Sequence, residues 1–350
     1  MDLKIIITTV FNSNNFGSFL QARELQRALN EYDTVFYDSN TRNQRASLIK
    51  HIKKLIIYTK SIGHILRGSV FEIAEATKLY RCWHSLPHTG KTEDRNVMIL
   101  GSDEIWNLSR KKCRHPIYWG EGFDGYKIAY APSANQATEE EFRRYPEYRT
   151  YLNQIDAVSV RDSSTAELIA AIADQQPPVV LDPTLLCDPQ PLRPKKLRPY
   201  IAVYFFYERL KKEEVAAIRE YADRNGYLLV SAGQYISWCD RSIHSIKGNP
   251  FYIFENAAFV ITNTFHGTAY SINYRKQFAS FANSNKVLGL LEEFGLESRA
   301  VTEDRSLESI FRQKIDLSDL EEKLSEKREF SREYLNRSLM SAAQEIGSRR

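Results

Sequence analysis

The sequence predicts an α/β protein built from two doubly wound halves, and three observations support this class. Short apolar runs alternate with amphipathic helical segments along most of the 350 residues, which is typical of parallel sheets with right-handed crossovers. The length exceeds the roughly 250–300 residues that one hydrophobic core usually serves. Residues 188–199 hold four prolines among basic residues, which a helix or strand interior does not tolerate. We therefore predict domains at 1–190 and 200–350, joined by a linker at 191–199.

In the first half, leucines at helical spacing predict a helix at 19–30. Ser164 and Glu167 stand at capping-box spacing, which predicts a second helix over 166–173. Buried strands are predicted between these helices and around them, at 4–10, 35–37, 97–100, 127–131, 157–160 and 179–181.

The second half repeats the alternation. A helix is predicted at 212–225, where Gly226 ends it, and further helices follow the last strand. Ligands of doubly wound sheets collect beyond the carboxyl ends of the strands, so a cleft between the halves is expected there. The predicted strands of this half are 200–206, 227–232, 259–262 and 277–281. The loops that the rule selects in the whole chain are 12–17, 101–107, 161–164 and 263–268.

Composition excludes several classes of protein. Hydrophobic residues make up 43% and charged residues 26%, which is a globular rather than a disordered composition. The net charge of +4 is too small to indicate nucleic-acid binding. The four cysteines show no CxxC spacing, so we expect reduced thiols and a cytoplasmic protein. Neither a signal peptide nor an apolar run long enough to span a membrane is expected.

One segment, 42–67, carries seven Lys or Arg and no acid, interleaved with leucines and isoleucines. A basic amphipathic helix of this kind can lie on an anionic membrane. The alternative is an ordinary solvated helix face.

Five segments at the predicted strand-to-helix junctions carry a family resemblance. They are NFGSFLQARELQRAL (15–29), GSDEIWN (101–107), SVRDSSTAEL (159–168), DPTLL (182–186) and ITNTFHGTAYSINYRKQF (261–278). In content and order they resemble the polysaccharide pyruvyltransferase family, over roughly residues 1–300.

The resemblance implies a glycosyltransferase-B-like fold, with two Rossmann-like domains facing across a cleft. It also implies transfer of pyruvate from phosphoenolpyruvate to a pair of sugar hydroxyls, with formation of a ketal. The acceptor would be a nucleotide- or lipid-linked glycan in the synthesis of a surface polysaccharide such as a capsule or exopolysaccharide. The N-terminal domain would bind the acceptor and the C-terminal domain the donor.

The resemblance places a histidine near the donor, and His266 occupies that position. Characterised relatives have an arginine two positions earlier, where this chain has Thr264. Histidine titrates near neutral pH, so His266 can donate a proton or bind phosphate, and both roles remain open. A purely structural histidine is the alternative. Gly267 would let a ligand approach the backbone closely.

A donor with a phosphate and a carboxylate needs cations and N–H groups around it. Arg161 lies between a strand end and a helix start, where a planar guanidinium and backbone N–H groups suit both anions. Arg275 and Lys286 are weaker candidates. The alternative for Arg161 is an ion pair with Asp162 or another surface carboxylate.

The acceptor site is predicted around Gly101-Ser102-Asp103. Asp103 could accept the proton of an acceptor hydroxyl or hold two sugar hydroxyls, and its alternative role is a cap for the turn that follows. Ser102 lies beside it. Trp106 could stack on a sugar face, but a core tryptophan is the favoured alternative.

The loop before the first helix adds Asn14, Asn15 and Gly17, which could contact the acceptor or a phosphate or could form a plain polar turn with a cap. This loop is no GxGxxG fingerprint, so no nicotinamide cofactor is expected. HxH, HExxH and DxD motifs are missing from the sequence, so no required metal is expected.

Two other functions fit the same fold. One is a glycosyltransferase with a nucleotide-sugar donor, although no base slot or ribose carboxylate stands out in the C-terminal half. The other is a non-catalytic glycan-binding protein, which the presence of both Arg161 and His266 disfavours.

Overall fold

The structure is a computed structural model. It describes residues 3–39, 49, 53, 62–173, 175–192, 197–205, 210–282 and 284–349.

The chain divides into two compact units. Unit 1 comprises Met1–Arg42, Trp83–Cys187 and Ser325–Arg350, and unit 2 comprises Asn43–Cys82 and Asp188–Leu324. This division differs from the predicted domains at three segments, 43–82, 188–190 and 325–350, which belong to the other unit. The predicted linker lies partly outside the described residues, and its described part belongs to unit 2.

Local contacts explain why the C-terminal segment belongs to unit 1. The Ser331 hydroxyl accepts a hydrogen bond from the Leu181 backbone at 2.9 Å. The Tyr334 hydroxyl donates to the Ala129 carbonyl at 3.1 Å. Both bonds join the C-terminal segment to buried backbone groups of unit 1.

The helices of the described part of the chain follow the sequence order. They are α1 (Phe16–Ala28), α2 (Ile62–His84), α3 (Glu139–Arg144), α4 (Glu147–Leu152), α5 (Ser163–Ile172), α6 (Lys212–Arg224), α7 (Phe265–Asn273), α8 (Asn285–Glu293), α9 (Leu307–Arg312) and α10 (Leu317–Ser348).

Unit 1 is built on a parallel sheet. Within the described residues its strand order is β3-β2-β1-β4-β5-β6, the order of a doubly wound dinucleotide-binding sheet. Apolar residues are buried on both faces of the sheet, as in a parallel sheet that is covered on both sides. The strands are β1 (Lys4–Thr8), β2 (Asp33–Tyr37), β3 (His88–Thr89), β4 (Val97–Leu100), β5 (Tyr126–Ala129) and β6 (Ala157–Val158).

Unit 2 is built on a second parallel sheet, with strand order β11-β10-β7-β8-β9 among the described residues. The strands are β7 (Tyr200–Tyr204), β8 (Leu228–Ala232), β9 (Arg241–Ile243), β10 (Phe259–Thr262) and β11 (Phe278–Ser280). The predicted α/β class, with a parallel sheet in each half, is therefore confirmed.

The basic segment 42–67 lies mostly outside the described residues, which include only 49, 53 and 62–67 of it. Its last six residues begin α2. Among the residues that the structure describes, no helix combines the length and apolarity needed to cross a membrane.

Candidate functional site

A buried hydrogen-bond network joins α1 to the carboxyl ends of β1 and β4 in unit 1. Its centre is Gln21, whose amide nitrogen donates to the Thr9 hydroxyl at 2.9 Å and whose amide oxygen accepts the Ser102 N–H at 3.2 Å. The Thr9 hydroxyl in turn donates to the Ser102 carbonyl at 2.9 Å. All three residues are buried, so the network fixes the backbone next to Asp103 and thereby the position of its side chain.

Asp103 is half-buried and held by two donors. Its Oδ2 accepts the Ser18 hydroxyl at 2.6 Å, and its Oδ1 accepts the Glu104 N–H at 2.8 Å. Hydrogen bonds to an ionised carboxylate are short and strong, so they orient the group. The residues that follow form the expected turn, whose first N–H Asp103 accepts, so the capping alternative stands beside the acceptor role, which stays a prediction.

The loops after β1, β4 and β5 share a rare backbone conformation. Asn12, Asp103 and Ala131 have φ values of 54°, 75° and 53°, in the left-handed region. Such non-glycine residues are uncommon, and they persist where the surrounding structure holds them, often at functional sites. Gly101 is required for a different reason, since a Cβ there would lie 2.0 Å from the Tyr130 carbonyl oxygen.

Arg161 forms a buried ion pair with Asp182, and its Nη1 lies 3.0 Å from Oδ2. The other oxygen of Asp182 accepts the Thr184 N–H at 3.0 Å and the Thr184 hydroxyl at 2.7 Å. Burial of Arg161 opposes its charge, but Asp182, then Asp103 and other carboxylates, outweigh it and raise the pKa of Arg161.

Arg161 therefore pairs with a carboxylate, as the alternative held, although the partner is buried Asp182 and not Asp162. Only 4% of Arg161 is exposed, which leaves little of it for a donor to reach in this conformation. Asp162 instead caps α5 by accepting the Thr165 N–H at 2.9 Å. The proposed donor contact of Arg161 stays a prediction.

The loop before α1 has a capping role. The Asn15 side chain accepts the Gly17 N–H at 2.9 Å and the Ser18 N–H at 3.4 Å, as an N-cap does. Asn14 is half-buried beside it, and Gly17 is buried within the first turn. An acceptor contact of these residues stays a prediction.

Trp106 lies in the core of unit 1 with no exposed surface. Its ring stacks on Trp119 at a centroid distance of 5.1 Å, and its indole N–H donates to the Tyr118 carbonyl at 3.1 Å. The structure contradicts the predicted acceptor contact, because a fully buried indole presents no face to a sugar.

In unit 2, a group of hydroxyl residues positions the start of α7 at the carboxyl end of β10. Thr264 is the N-cap, and its hydroxyl accepts the Gly267 N–H at 2.9 Å. The Thr262 hydroxyl donates to the Tyr204 carbonyl of β7 at 2.7 Å and accepts the Thr264 N–H at 3.1 Å. Thr264 thus has a structural role at the position where relatives carry arginine.

His266 is the second residue of α7 and is half-buried. Its ring stands perpendicular to that of Phe265, at a centroid distance of 5.4 Å. It is the ionisable side chain of the segment 262–268. The partial positive charge of a helix N-terminus favours anions, so this position suits a residue that acts on a phosphate or carboxylate.

Gly267 is required by packing, not by a ligand. A Cβ at this position would lie 2.1 Å from Thr262 Oγ1 and 2.7 Å from Thr264 Oγ1. The hydroxyl groups of Thr262 and Thr264 therefore fill the space beside Gly267 that was predicted to admit a donor.

The weaker cation candidates lie elsewhere in unit 2. Arg275 binds both oxygens of Glu321, at 2.8 and 3.0 Å, and also pairs with Asp188 at 2.6 Å. The hydrogen bond to Glu321 is the largest cause that raises the pKa of Arg275. Its planar fork is thus engaged with Glu321, which argues against the predicted donor contact. Lys286 is the second residue of α8.

Sequence reasoning missed a pair of glutamates on α2. Glu72 and Glu75 are buried beside the loops that follow β8 and β9, where they accept the N–H groups of Tyr235 at 2.8 Å and Ser245 at 3.0 Å. Burial, with a smaller contribution from Glu75, raises the pKa of Glu72 to about 7 despite the hydrogen bond from Tyr235. The signal in the sequence was a pair of acids, three residues apart, in a helix whose other charged side chains are basic.

In the ranges that the structure describes, no group of three or more His, Cys, Asp or Glu side chains has the geometry of a metal site.

A comparison with family models gives a match over most of the chain. The model described as polysaccharide pyruvyl transferase matches residues 15–285. None of the curated proteins matches the chain at a significant level.

Solved structures match over nearly the whole chain. A protein from Listeria monocytogenes described as a UDP-N-acetylglucosamine 2-epimerase has a TM-score of 0.51 and 10% identity, covering 99% of this chain and 98% of that one. Another UDP-N-acetylglucosamine 2-epimerase has a TM-score of 0.51 and 10% identity, covering 98% and 97%. The glycosyltransferase SnogD from Streptomyces nogalater has a TM-score of 0.44 and 11% identity, covering 99% of each chain. At such identities the likeness concerns the fold alone, and the two epimerases, with TM-scores of 0.51, agree with the predicted glycosyltransferase-B-like class.

Proposed function

Because the chain belongs to the polysaccharide pyruvyl transferase family, and is thus a transferase, we propose that it moves pyruvate from phosphoenolpyruvate to a pair of sugar hydroxyls. The acceptor is a nucleotide- or lipid-linked glycan of surface polysaccharide synthesis, and the reaction takes place in the cytoplasm. The observation that carries the proposal is the position of His266 in the first turn of α7, where a helix N-terminus favours an anionic donor.

The chemistry needs one proton donor and one proton acceptor. A proton adds to the methylene carbon of phosphoenolpyruvate, which becomes a methyl group and leaves cationic character at C2. The first sugar oxygen bonds to C2 and loses its proton, and the C2–O bond to phosphate breaks with its electron pair on phosphate. The second hydroxyl then closes the ring at C2. One hydroxyl proton replaces the proton given to carbon, and the other leaves with phosphate.

His266 is proposed to act on the donor. An imidazole that titrates near neutral pH can protonate the methylene carbon or hold the leaving phosphate. The two roles differ in their kinetic effect. Loss of the proton donor lowers kcat. Loss of a phosphate ligand that binds the ground state as tightly as the transition state raises the KM for phosphoenolpyruvate instead.

Asp103 is proposed to act on the acceptor. Two hydrogen bonds hold its carboxylate in one orientation, from the Ser18 hydroxyl and the Glu104 N–H. A fixed, ionised carboxylate at the carboxyl edge of a parallel sheet can take the proton of a sugar hydroxyl. The network around Gln21 and Ser102 gives it a rigid base.

The test uses the purified chain with phosphoenolpyruvate and a panel of nucleotide- and lipid-linked sugars, each analysed by mass spectrometry and by phosphate release. The expected result is a pyruvyl adduct on at least one sugar, with one phosphate released per adduct. UDP-sugars serve as the competing donors. Glycosyl transfer from a UDP-sugar, with no pyruvyl adduct from phosphoenolpyruvate, would establish the glycosyltransferase alternative instead.

A further inference from the structure

The helix α2 buries its two acids and exposes a row of large apolar side chains. Glu72 and Glu75 are buried, whereas five large hydrophobic residues of the same helix are exposed. Leu79 and Trp83 are also buried, so the helix has apolar residues on a second side besides the one that faces the core, as a surface helix normally does not. The explanation of an exposed apolar stripe is a contact with something outside the unit that carries it.

The inner face is fixed by polar contacts within unit 2. The Glu75 carboxylate accepts the Ser245 N–H at 3.0 Å and lies 2.5 Å from His244 Nδ1. Glu72 accepts the Tyr235 N–H at 2.8 Å, and the Tyr235 hydroxyl lies 2.5 Å from His64 Nδ1. The helix cannot rotate its apolar side inward without leaving these buried polar groups without partners.

The outer face carries what we call the exposed stripe. Its residues recur every three to four positions or in multiples of that spacing, so they lie on one side of the helix over about 27 Å. The exposed stripe consists of Ile62, Leu66, Val70, Ile73 and Tyr80. Single exposed apolar residues need no explanation, but an aligned row of five marks an interaction surface.

A groove continues the exposed stripe along one side of α2. It has a volume of about 430 Å³, and Leu66 and Val70 belong to both features. Its floor includes Phe71, whose ring stacks on His244 at a centroid distance of 4.4 Å. The remaining lining residues, Arg67 and Ala74, add one cation and no acid.

The exposed charges of α2 are positive. Arg67 and Arg81 are exposed, and the two acids of the helix are the buried Glu72 and Glu75. In the sequence, the segment 39–61 before the helix adds six Lys or Arg and no acid. A basic fringe along an apolar helix face complements an anionic lipid surface, whereas a face for a second copy of this chain would bring like charges together.

We propose that the exposed stripe of α2 docks this protein on an anionic membrane, with the helix lying in the plane of the interface. The apolar side chains enter the boundary between headgroups and acyl chains, and Arg67 and Arg81 meet the lipid phosphates. This extends the membrane contact expected for 42–67 to a surface that the structure describes. It does not depend on the donor or the acceptor of the transferase.

The test is co-sedimentation of the full chain with vesicles of phosphatidylcholine, alone or mixed with phosphatidylglycerol. We expect binding to the mixed vesicles that weakens as salt rises from about 0.1 to about 1 M, because the Debye length falls from ~10 to ~3 Å. Leu66→Glu should lower the affinity at least about tenfold, since it places an acid on the apolar face. The control is Met340→Glu on α10, because Leu66 and Met340 are each 63% exposed.

Equal loss in Leu66→Glu and Met340→Glu, or equal binding to both vesicle types, would overturn the proposal. So would a dimer that Leu66→Glu dissociates in sedimentation velocity without any vesicle binding, since the exposed stripe would then serve a second copy. Circular dichroism and thermal unfolding check that each variant is folded. Vesicle binding needs no substrate, so its failure leaves the proposed transferase function untouched, and the reverse also holds.

Discussion

The guanidinium of Arg161 lies 3.0 Å from the carboxylate of Asp182, and both side chains are almost wholly buried. Sequence reasoning assigned Arg161 to the donor, whereas the contact makes it a partner in a buried pair at the carboxyl edge of the first sheet. A buried ion pair is costly to break, since one charge then stays in a low-dielectric site without its partner. Variants can separate the two roles of Arg161. Loss of its ion pair with Asp182 lowers stability, whereas loss of a donor contact lowers the affinity for phosphoenolpyruvate.

We predict that Asp182→Asn lowers the free energy of unfolding of unit 1 by about 3–5 kcal/mol, because it leaves the buried guanidinium without its carboxylate. Urea unfolding, followed by tryptophan fluorescence, measures the loss. The matched control is Glu139→Gln, which removes the exposed pair with Arg143 and should cost no more than about 0.5 kcal/mol. Arg161→Lys keeps the charge but loses the fork. If Arg161→Lys is destabilised yet binds phosphoenolpyruvate normally, Arg161 is a structural residue and no donor clamp.

His266→Ala should lower turnover about 10²–10⁴-fold, because a positioned acid–base group contributes that much. The imidazole is half-buried at a helix start, so its removal should leave the fold intact, as circular dichroism can verify. His88→Ala, an exposed histidine outside the family motifs, serves as the control. Turnover by purified His266→Ala close to that of the unchanged chain would exclude a role in proton transfer.

The third prediction concerns two glycines in helices of unit 2. Gly267→Ala should destabilise the unit by ~1–3 kcal/mol, because the new methyl group would meet the Thr262 hydroxyl at 2.1 Å. Gly289→Ala in α8 should instead stabilise it by about 0.4–1 kcal/mol, since nothing lies within 4 Å of the new methyl group. Thermal unfolding of both variants gives the comparison. Equal effects of the two substitutions would show that the space around Gly267 is open to a ligand after all.

A fourth prediction follows from Glu72, whose pKa is raised to about 7 in the folded chain. A carboxyl that binds its proton more tightly when folded contributes stability below its unfolded pKa and loses it as the pH rises through the folded value. Stability should therefore fall between about pH 4.5 and 7, by at most about 1.4 kcal/mol per pH unit from this group.

Glu72→Gln isolates this effect, since its amide oxygen can still accept the Tyr235 N–H. The variant should match the unchanged chain near pH 4.5 and be more stable at pH 8. Both proteins are unfolded by urea across that range. A stability difference that does not change with pH would mean that Glu72 titrates normally.

The parts of the fold that the sequence predicted are those where local pattern and packing agree. Strands β4 and β10 appear with the predicted bounds, because continuous apolar runs between turn residues can only be buried. The helix α2 was missed because it carries apolar residues on an exposed side as well as on a buried one, which obscures the single apolar stripe on which the prediction rests. The short edge strands β3 and β9 carry too few residues to show a period.

The sequence predicted where the residues of the candidate site lie along the chain, but not which residues they contact. The loops after β4 and β10 were selected correctly as strand-end loops that carry Asp103 and His266. The partner of Arg161 is 21 residues away, and the parallel bridge between Val160 and Val179 brings the two segments together. Gln21 could have been suspected, since a glutamine on the buried side of α1 must satisfy its amide with something nearby.

The last prediction is that transfer survives EDTA. Divalent ions assist reactions at phosphate by neutralising charge and orienting the leaving oxygen, and they need carboxylates whose oxygens can turn toward them. Asp103 and Asp182 are the two acids of the first half that could form such a site together, and their oxygens have assigned partners. Both oxygens of Asp182 are engaged, one by Arg161 and one by Thr184. Asp103 accepts hydrogen bonds from Ser18 and the Glu104 N–H. The Arg161 charge between these carboxylates also opposes a second cation, since like charges repel strongly at short range in a buried site.

The assay is pyruvyl transfer after treatment with chelator, followed by addition of Mg²⁺ or Mn²⁺. Unchanged turnover is expected throughout. Complete loss with chelator and recovery with metal would reject this mechanism and make Asp103 a metal ligand instead of a base.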